Sequence, residues 1–214
     1  MDIAESPKLA AEDLASFLST AVAAARAAGV IINEGAKNRA SITIERKNAN
    51  DFVSVIDKSA ERAIIETLAA KYPGHAFKAE ESGEAGTSRD TWVIDPLDGT
   101  TNFLQGIPYY CVSIALQIDD TIAVGVIYDP TSGRLFTATR GHGAFLDGVR
   151  IHVSGRPGLN EAVVGTGIPF RDWSYLDDYL ASRRVIMQRC AGIRRPGAAA
   201  LDLASVYAGW IDGH

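Results

Sequence analysis

The sequence predicts a mixed α/β (α+β) fold in which an antiparallel meander sheet is followed by an alternating α/β half. Three patterns carry that prediction. An alanine-rich stretch near the start has apolar residues recurring at threes and fours, the period of one face of a helix. Residues 112–153 break into short apolar runs punctuated by Asp, Gly and Pro turns, as consecutive hairpins do. Beyond Pro157 the texture changes to strand, helix, strand, helix. At 214 residues with 47% hydrophobic content, the chain can bury a substantial core. It divides into residues 1–155, helices plus the large sheet, and residues 156–214, a C-terminal α/β half that reads as incomplete at its end.

In chain order, residues 7–30 set Leu9, Leu14, Phe17, Leu18, Ala21, Val22 and Ala25 on one helical stripe. After Gly29 and Gly35 the chain turns polar, predicting a strand pair joined by a polar loop that carries Lys47. Residues 52–56 lead into Asp57, and Ala60, Ile64 and Leu68 then share one face, so Asp57 is expected to cap a helix. Tyr72, Pro73 and Gly74 stop that helix. A short strand over 76–79 follows and runs into Glu80 and Glu81. Residues 92–94 form a second β-favouring run, and the meander occupies 112–153, with His142 and His152 in or beside its turns as structural or solvated groups. The last part is expected to hold a strand near 162–165, a helix near 177–189, a short strand at Ile193 and a helix opened by Gly197.

The chemistry concentrates in residues 92–103, WVIDPLDGTTNF. Pro96 fixes its own φ, removes a donor and holds Asp95 extended, so Asp95 and Asp98 bracket a tight turn. Gly99 permits close backbone approach, and Thr100, Thr101 and Asn102 are residues that open helices. Two carboxylates beside free amides suit a divalent cation carrying a phosphate, because hard cations take carboxylate oxygen and the phosphate takes the amides. Read alone, the same turn fits an exposed acidic loop equally well. A second strand ending in acid at Glu80 changes the balance. If the two strands are neighbours, Glu80, Asp95 and Asp98 converge, and converging acids destabilise a fold unless a cation neutralises them.

Composition narrows the field further. Twenty-one basic against 26 acidic residues give a net charge of −5, so overall charge does not indicate a nucleic-acid surface. Cys111 and Cys190 make no metal-ligand spacing and read as buried thiols of a reducing compartment. No apolar run is expected to reach the roughly 20 residues that span a bilayer, and the acidic N-terminus is unlike a signal peptide. A cytoplasmic protein with no membrane contact is the expectation.

Together, the 92–103 motif, Glu80–Glu81–Ser82, the Asp57 helix start and the small-residue helix start over 197–200 resemble the inositol monophosphatase family. That family lies within the Mg-dependent, lithium-sensitive phosphatase superfamily, and the closest likeness is to its bacterial extragenic-suppressor type. The resemblance runs along essentially the whole chain and implies a layered αβαβα sandwich, a homodimer and a small-molecule phosphate monoester as substrate. It implies two or three Mg²⁺ ions. Glu80, Asp95 and the carbonyl of Leu97 would bind one, Asp95 and Asp98 a second, and Lys47 would sit on a mobile loop that helps place a further metal. Asp57 and Thr100 would orient and deprotonate a metal-activated water for in-line attack, while Asp98 and the amides of Gly99 and Thr100 hold the substrate's phosphate. Gly197, Ala198 and Ala199 would line the substrate's ring, although tight helix packing explains those small residues as well.

One departure stands out. The family carries a glutamate that touches inositol and an aspartate that ligates the second metal, and both are expected beyond His214. The chain is therefore read either as continuing past its last residue, which the abrupt end favours, or as a truncated chain with impaired catalysis. The resemblance leaves histidinol phosphate, fructose 1,6-bisphosphate and nucleotide 3′-phosphates open as alternative substrates. Suppressor-type relatives are also associated with transcription and RNA, which makes a regulatory protein binding RNA or RNA polymerase the non-enzymatic alternative. Arg183, Arg184, Arg189, Arg194 and Arg195 are the candidate basic patch.

Overall fold

The computed structural model describes residues 11–39, 44–48, 51–169 and 172–214. The first helix, α1 (Ala11–Lys37), runs past its expected end at residue 30 and through Gly35. The reason is tertiary. A Cβ on Gly29 would lie 2.4 Å from the Tyr128 ring, and one on Gly35 would lie 2.7 Å from Ile56, so each glycine lets a neighbour pack against the helix backbone. By length and hydropathy residues 12–37 match a membrane span, contrary to the expectation that no run would. Ala21, Ala24, Ala25, Ala28 and Ile32 are nonetheless fully buried, which makes α1 a helix of the core.

A hairpin of β1 (Ile44–Asn48) and β2 (Asp51–Ser54) follows, with its register shifting between Arg46 and Asn48. Lys47 therefore lies in a strand, not in the connecting loop, and its side chain lies outside the described residues. Helix α2 (Val55–Lys71) is capped by Ser54, not Asp57. The Ser54 hydroxyl accepts from the amides of Ile56 and Asp57, and the Asp57 carboxylate accepts from the Ser54 amide, a reciprocal capping box. Both residues suit a cap in sequence, but the first helical turn places Asp57 at its third position. Ser54→Ala is expected to cost about 1 kcal/mol, read as a melting temperature lower by about 2–4 °C.

The main sheet has eight strands in the order β10-β9-β8-β7-β6-β5-β3-β4. These are β3 (Ala76–Ala79), β4 (Gly83–Ala85), β5 (Asp90–Asp98), β6 (Cys111–Ile118), β7 (Thr121–Tyr128), β8 (Leu135–Thr139), β9 (Gly143–Leu146) and β10 (Val149–Arg150). From β5 to β10 the pairing is antiparallel throughout, the meander that the turn spacing predicts. Strands β3 and β5 pair in parallel, with Ala79 opposite Ile94. Strand β4, absent from the sequence reading, closes the edge as a short hairpin on β3.

Alternation along the strands sends side chains to two cores. Trp92, Ile94, Val112, Ile114, Leu116, Val124 and Val126 pack beneath α1 and α2. On the opposite face Cys111, Phe136 and Ile127 meet Leu201 and Ala204 of α5 (Ala199–Tyr207). The remaining layers come from the parallel pair β11 (Val163–Gly165) and β12 (Gly192–Arg194), with α4 (Leu176–Met187) beside them. The Tyr179 hydroxyl of α4 donates to the Gly167 carbonyl just after β11. This is the expected layered α/β sandwich. The short helix α3 (Thr100–Gln105) stands at the end of β5, with Phe103 and Leu104 packed into the first core.

Candidate active site

Because β3 and β5 are parallel neighbours, they end side by side. Glu80 follows the last residue of β3, and its amide donates to the Ile94 carbonyl at 3.1 Å, which sets it next to Asp95. Beyond Asp95 the β5–β6 register slips before resuming at Asp98 opposite Cys111. The slip follows from Pro96, which cannot donate to the ladder. The Leu97 amide turns back to Asp95 Oδ1 at 3.1 Å, and the Leu97 carbonyl accepts from Thr100 Oγ1 at 2.9 Å. Gly99 sits at φ +94°, and a Cβ there would come within 3.1–3.2 Å of Tyr109, Tyr110 and Ala198. Only glycine suits both that backbone and that space.

The three carboxylates do converge, at a cost to Asp95 and Asp98. Burial, with the charges of Glu80 and Asp98 adding to it, pushes the Asp95 carboxyl up to about 9. A side-chain hydrogen bond between Asp95 and Glu80 adds to that rise. Burial also raises Asp98, opposed by backbone hydrogen bonds from Ala200 and Ala199. Asp98 Oδ2 accepts from the Ala200 amide at 2.6 Å and so caps α5, whose own flanking residue, Ala198, provides no side-chain cap. Among the described residues no three His, Cys, Asp or Glu side chains are grouped closely enough to hold a metal ion by themselves, so the Leu97 carbonyl would have to complete the set.

Asp57 approaches from α2. It is 1% exposed, with Oδ2 held by the Ser54 amide and hydroxyl and Oδ1 accepting from Thr100 Oγ1 at 2.9 Å. Burial raises its carboxyl above the ordinary value, although the hydrogen bonds from Ser54 and Thr100 oppose this. Thr100 thus opens α3 without capping it; its hydroxyl is turned to Asp57 and Leu97. Asn102 likewise bonds outward, to the carbonyls of Tyr109 and Pro196.

A cleft of about 760 Å³ opens over this arrangement. Glu80, Asp95, Leu97, Asp98, Gly99 and Thr100 form its floor, and Gly197, Ala198 and Ala199 form a wall. Gly197, at φ +102° against the Asn102 amide, lies just before α5, which begins at Ala199. The cleft has further lining that sequence reasoning missed: Asp202, His214, Arg195 and Thr166. Asp202 is 2% exposed, accepts from the Tyr109 hydroxyl at 2.6 Å and lies 3.4 Å from His214 Nε2. A lone carboxylate among the apolar residues of α5 is the signal that would have found it. The basic patch is divided, since Arg195 lines the cleft while Arg183 and Arg184 border a small groove on α4.

The sequence profile of the inositol monophosphatase family matches residues 13–214. The chain is 46% identical to the Nus factor SuhB of Escherichia coli over 199 residues, covering 92% of this chain and 74% of the relative. Among solved structures, the extragenic suppressor protein SuhB of Bartonella henselae superposes with a TM-score of 0.89 at 41% identity, covering 92% of this chain and 76% of that one. The inositol monophosphatase of Anabaena superposes with a TM-score of 0.82 at 35% identity, covering 93% of this chain and 73% of that one. With its fold, its acidic strand ends and these likenesses in agreement, the chain belongs to the inositol monophosphatase family.

Proposed function

We propose that the protein is a Mg²⁺-dependent phosphomonoesterase that releases phosphate from inositol monophosphates. The observation that carries the reading is the convergence of Glu80, Asp95 and Asp98 in one cleft with the Thr100–Asp57 pair. The donor set fits a hard cation. It is all oxygen, and burial with the neighbouring charges of Glu80 and Asp98 raises the Asp95 carboxyl, a strain that a positive charge would relieve. Glu80, Asp95 and the Leu97 carbonyl would hold one ion, and Asp95 with Asp98 a second. When bound, Mg²⁺ polarises the phosphoryl group and makes water acidic enough to attack near neutral pH.

The chain's own residues supply the rest. Thr100 has one hydroxyl proton and two acceptors at 2.9 Å, Asp57 Oδ1 and the Leu97 carbonyl. Donating to Asp57 turns a lone pair of Thr100 towards the cleft, where it orients the attacking water and passes its proton to the carboxylate. Burial raises the Asp57 carboxyl above its ordinary value, which makes its carboxylate a stronger base. The Gly99 and Thr100 amides hold the substrate's phosphate. Gly197, Ala198 and Ala199 leave room for the ring, and Arg195, Asp202 and Thr166 offer the polar edge that polyol hydroxyls need.

The test is phosphate release from inositol 1-phosphate beside histidinol phosphate, fructose 1,6-bisphosphate and a nucleotide 3′-phosphate. Hydrolysis that depends on Mg²⁺, is blocked by lithium and is fastest for inositol 1-phosphate supports the reading. Faster turnover of another of these would move the substrate while keeping the chemistry, and no hydrolysis of any would overturn it. The likeness to a protein named Nus factor SuhB favours a second reading, a regulatory protein that binds RNA polymerase. Capture of RNA polymerase that persists in Asp95→Asn would support that role independently of catalysis.

A further inference from the structure

A carboxylate buried in a protein is costly unless hydrogen bonds replace its water. Glu61 is 3% exposed, on α2 one turn beyond Asp57, so the two acids project from the same face of the helix. Its two oxygens are satisfied by the backbone of a distant segment. Oε2 accepts from the Glu81 amide at 2.7 Å, and Oε1 from the Ser82 amide at 2.8 Å. These two amides follow Glu80 directly, and the Glu80 amide is itself bound to Ile94. The backbone is thus fastened immediately before the Glu80 side chain by β5 and immediately after it by Glu61. The turn leads into β4, whose residues are all exposed.

We infer that Glu61 is a positioning residue that clamps the β3–β4 turn so that Glu80 is presented beside Asp95, thereby setting the affinity of the acidic site for a divalent cation. The inference rests on the proposed Mg²⁺ site. It gives α2 two tasks one helical turn apart: Asp57 holds Thr100, and Glu61 holds the backbone that carries Glu80.

The test is Mg²⁺ binding by titration calorimetry on the protein and on Glu61→Gln, with Ile64→Val as a control that thins the core on the same helix. A glutamine oxygen can accept from one amide, but its NH₂ meets the other donor to donor. Groups that orient a metal ligand typically set affinity by 10–100-fold, so the Mg²⁺ Kd of Glu61→Gln is expected to rise about 10-fold. Ile64→Val should melt earlier with an unchanged Kd. Hydrogen exchange in the unsubstituted protein gives a readout that needs no variant. The Glu81 and Ser82 amides should exchange as slowly as those within α2, and exchange as fast as at Gly86 and Thr87 would overturn the clamp. An unchanged Kd in Glu61→Gln overturns this inference and leaves the phosphatase reading intact. Failure of the unsubstituted protein to bind Mg²⁺ overturns both.

Discussion

Asp95→Asn is expected to lower Mg²⁺-dependent phosphate release by about 10³-fold while making the metal-free protein more stable. The loss follows from position, because Asp95 is the carboxylate assigned to both ions. Metal ions contribute several kcal/mol to such transition states, and about 1.4 kcal/mol is tenfold in rate. The gain follows from protonation. The Asp95 carboxyl is pushed from 3.8 to about 9 by burial, by Glu80 and by Asp98. A carboxyl raised on folding binds its proton more tightly in the native state, so its stabilising effect is complete below pH 3.8 and is lost as pH climbs towards 9. Each unit in that window costs up to about 1.4 kcal/mol, or about 2–4 °C of melting temperature per kcal/mol in a chain of this size. Asparagine carries no such cost. Melting curves in EDTA between pH 6 and 8.5 should fall with pH for the unsubstituted protein and stay nearly flat for Asp95→Asn, and Mg²⁺ should restore only the former. Melting in EDTA that is insensitive to pH would show that the acids do not strain one another.

The acidic floor of the cleft was legible because local signals and topology agree there. A proline and a glycine mark where β5 must stop, and a second strand ending in acid invites pairing with the first. The parallel contact of β3 with β5 then joins Glu80 to Asp95. What could not be read depends on partners far away in sequence. Gly35 stays helical with Ile56 pressed against it, and no periodicity in residues 11–37 announces that neighbour. Glu61 has the spacing of an ordinary helix residue, and its meaning lies in two amides 20 and 21 positions away. Asp202 finds Tyr109 across 93 positions. Asp57 shows the intermediate case. Its place at the start of a helix was visible, but both it and Ser54 fit the cap, and the three-residue interval of the capping box assigns each its part.

Thr100→Val should lower turnover by about 10²–10⁴-fold, the usual contribution of a positioned proton-transfer group, with a smaller effect on Mg²⁺ affinity. Valine keeps the shape and removes the one group that links Asp57 to the cleft. Thr100→Ser should retain most activity, because it restores the hydroxyl that Asp57 Oδ1 and the Leu97 carbonyl share. Asp57→Asn separates the proton path from the fold. Its amide oxygen can still accept from Ser54 and preserve the capping box, but its NH₂ would donate to Thr100 and reverse that hydrogen bond. The hydroxyl proton would then go to the Leu97 carbonyl or into the cleft, and no carboxylate would remain to receive it. Both Thr100→Val and Asp57→Asn should therefore lower kcat far more than they raise KM, while their melting temperatures stay within a few degrees of the unsubstituted protein. If Asp57→Asn keeps full turnover, the buried carboxylate serves only as part of the helix cap. If it fails while Thr100→Val does not, Asp57 reaches the reacting water by a route other than Thr100.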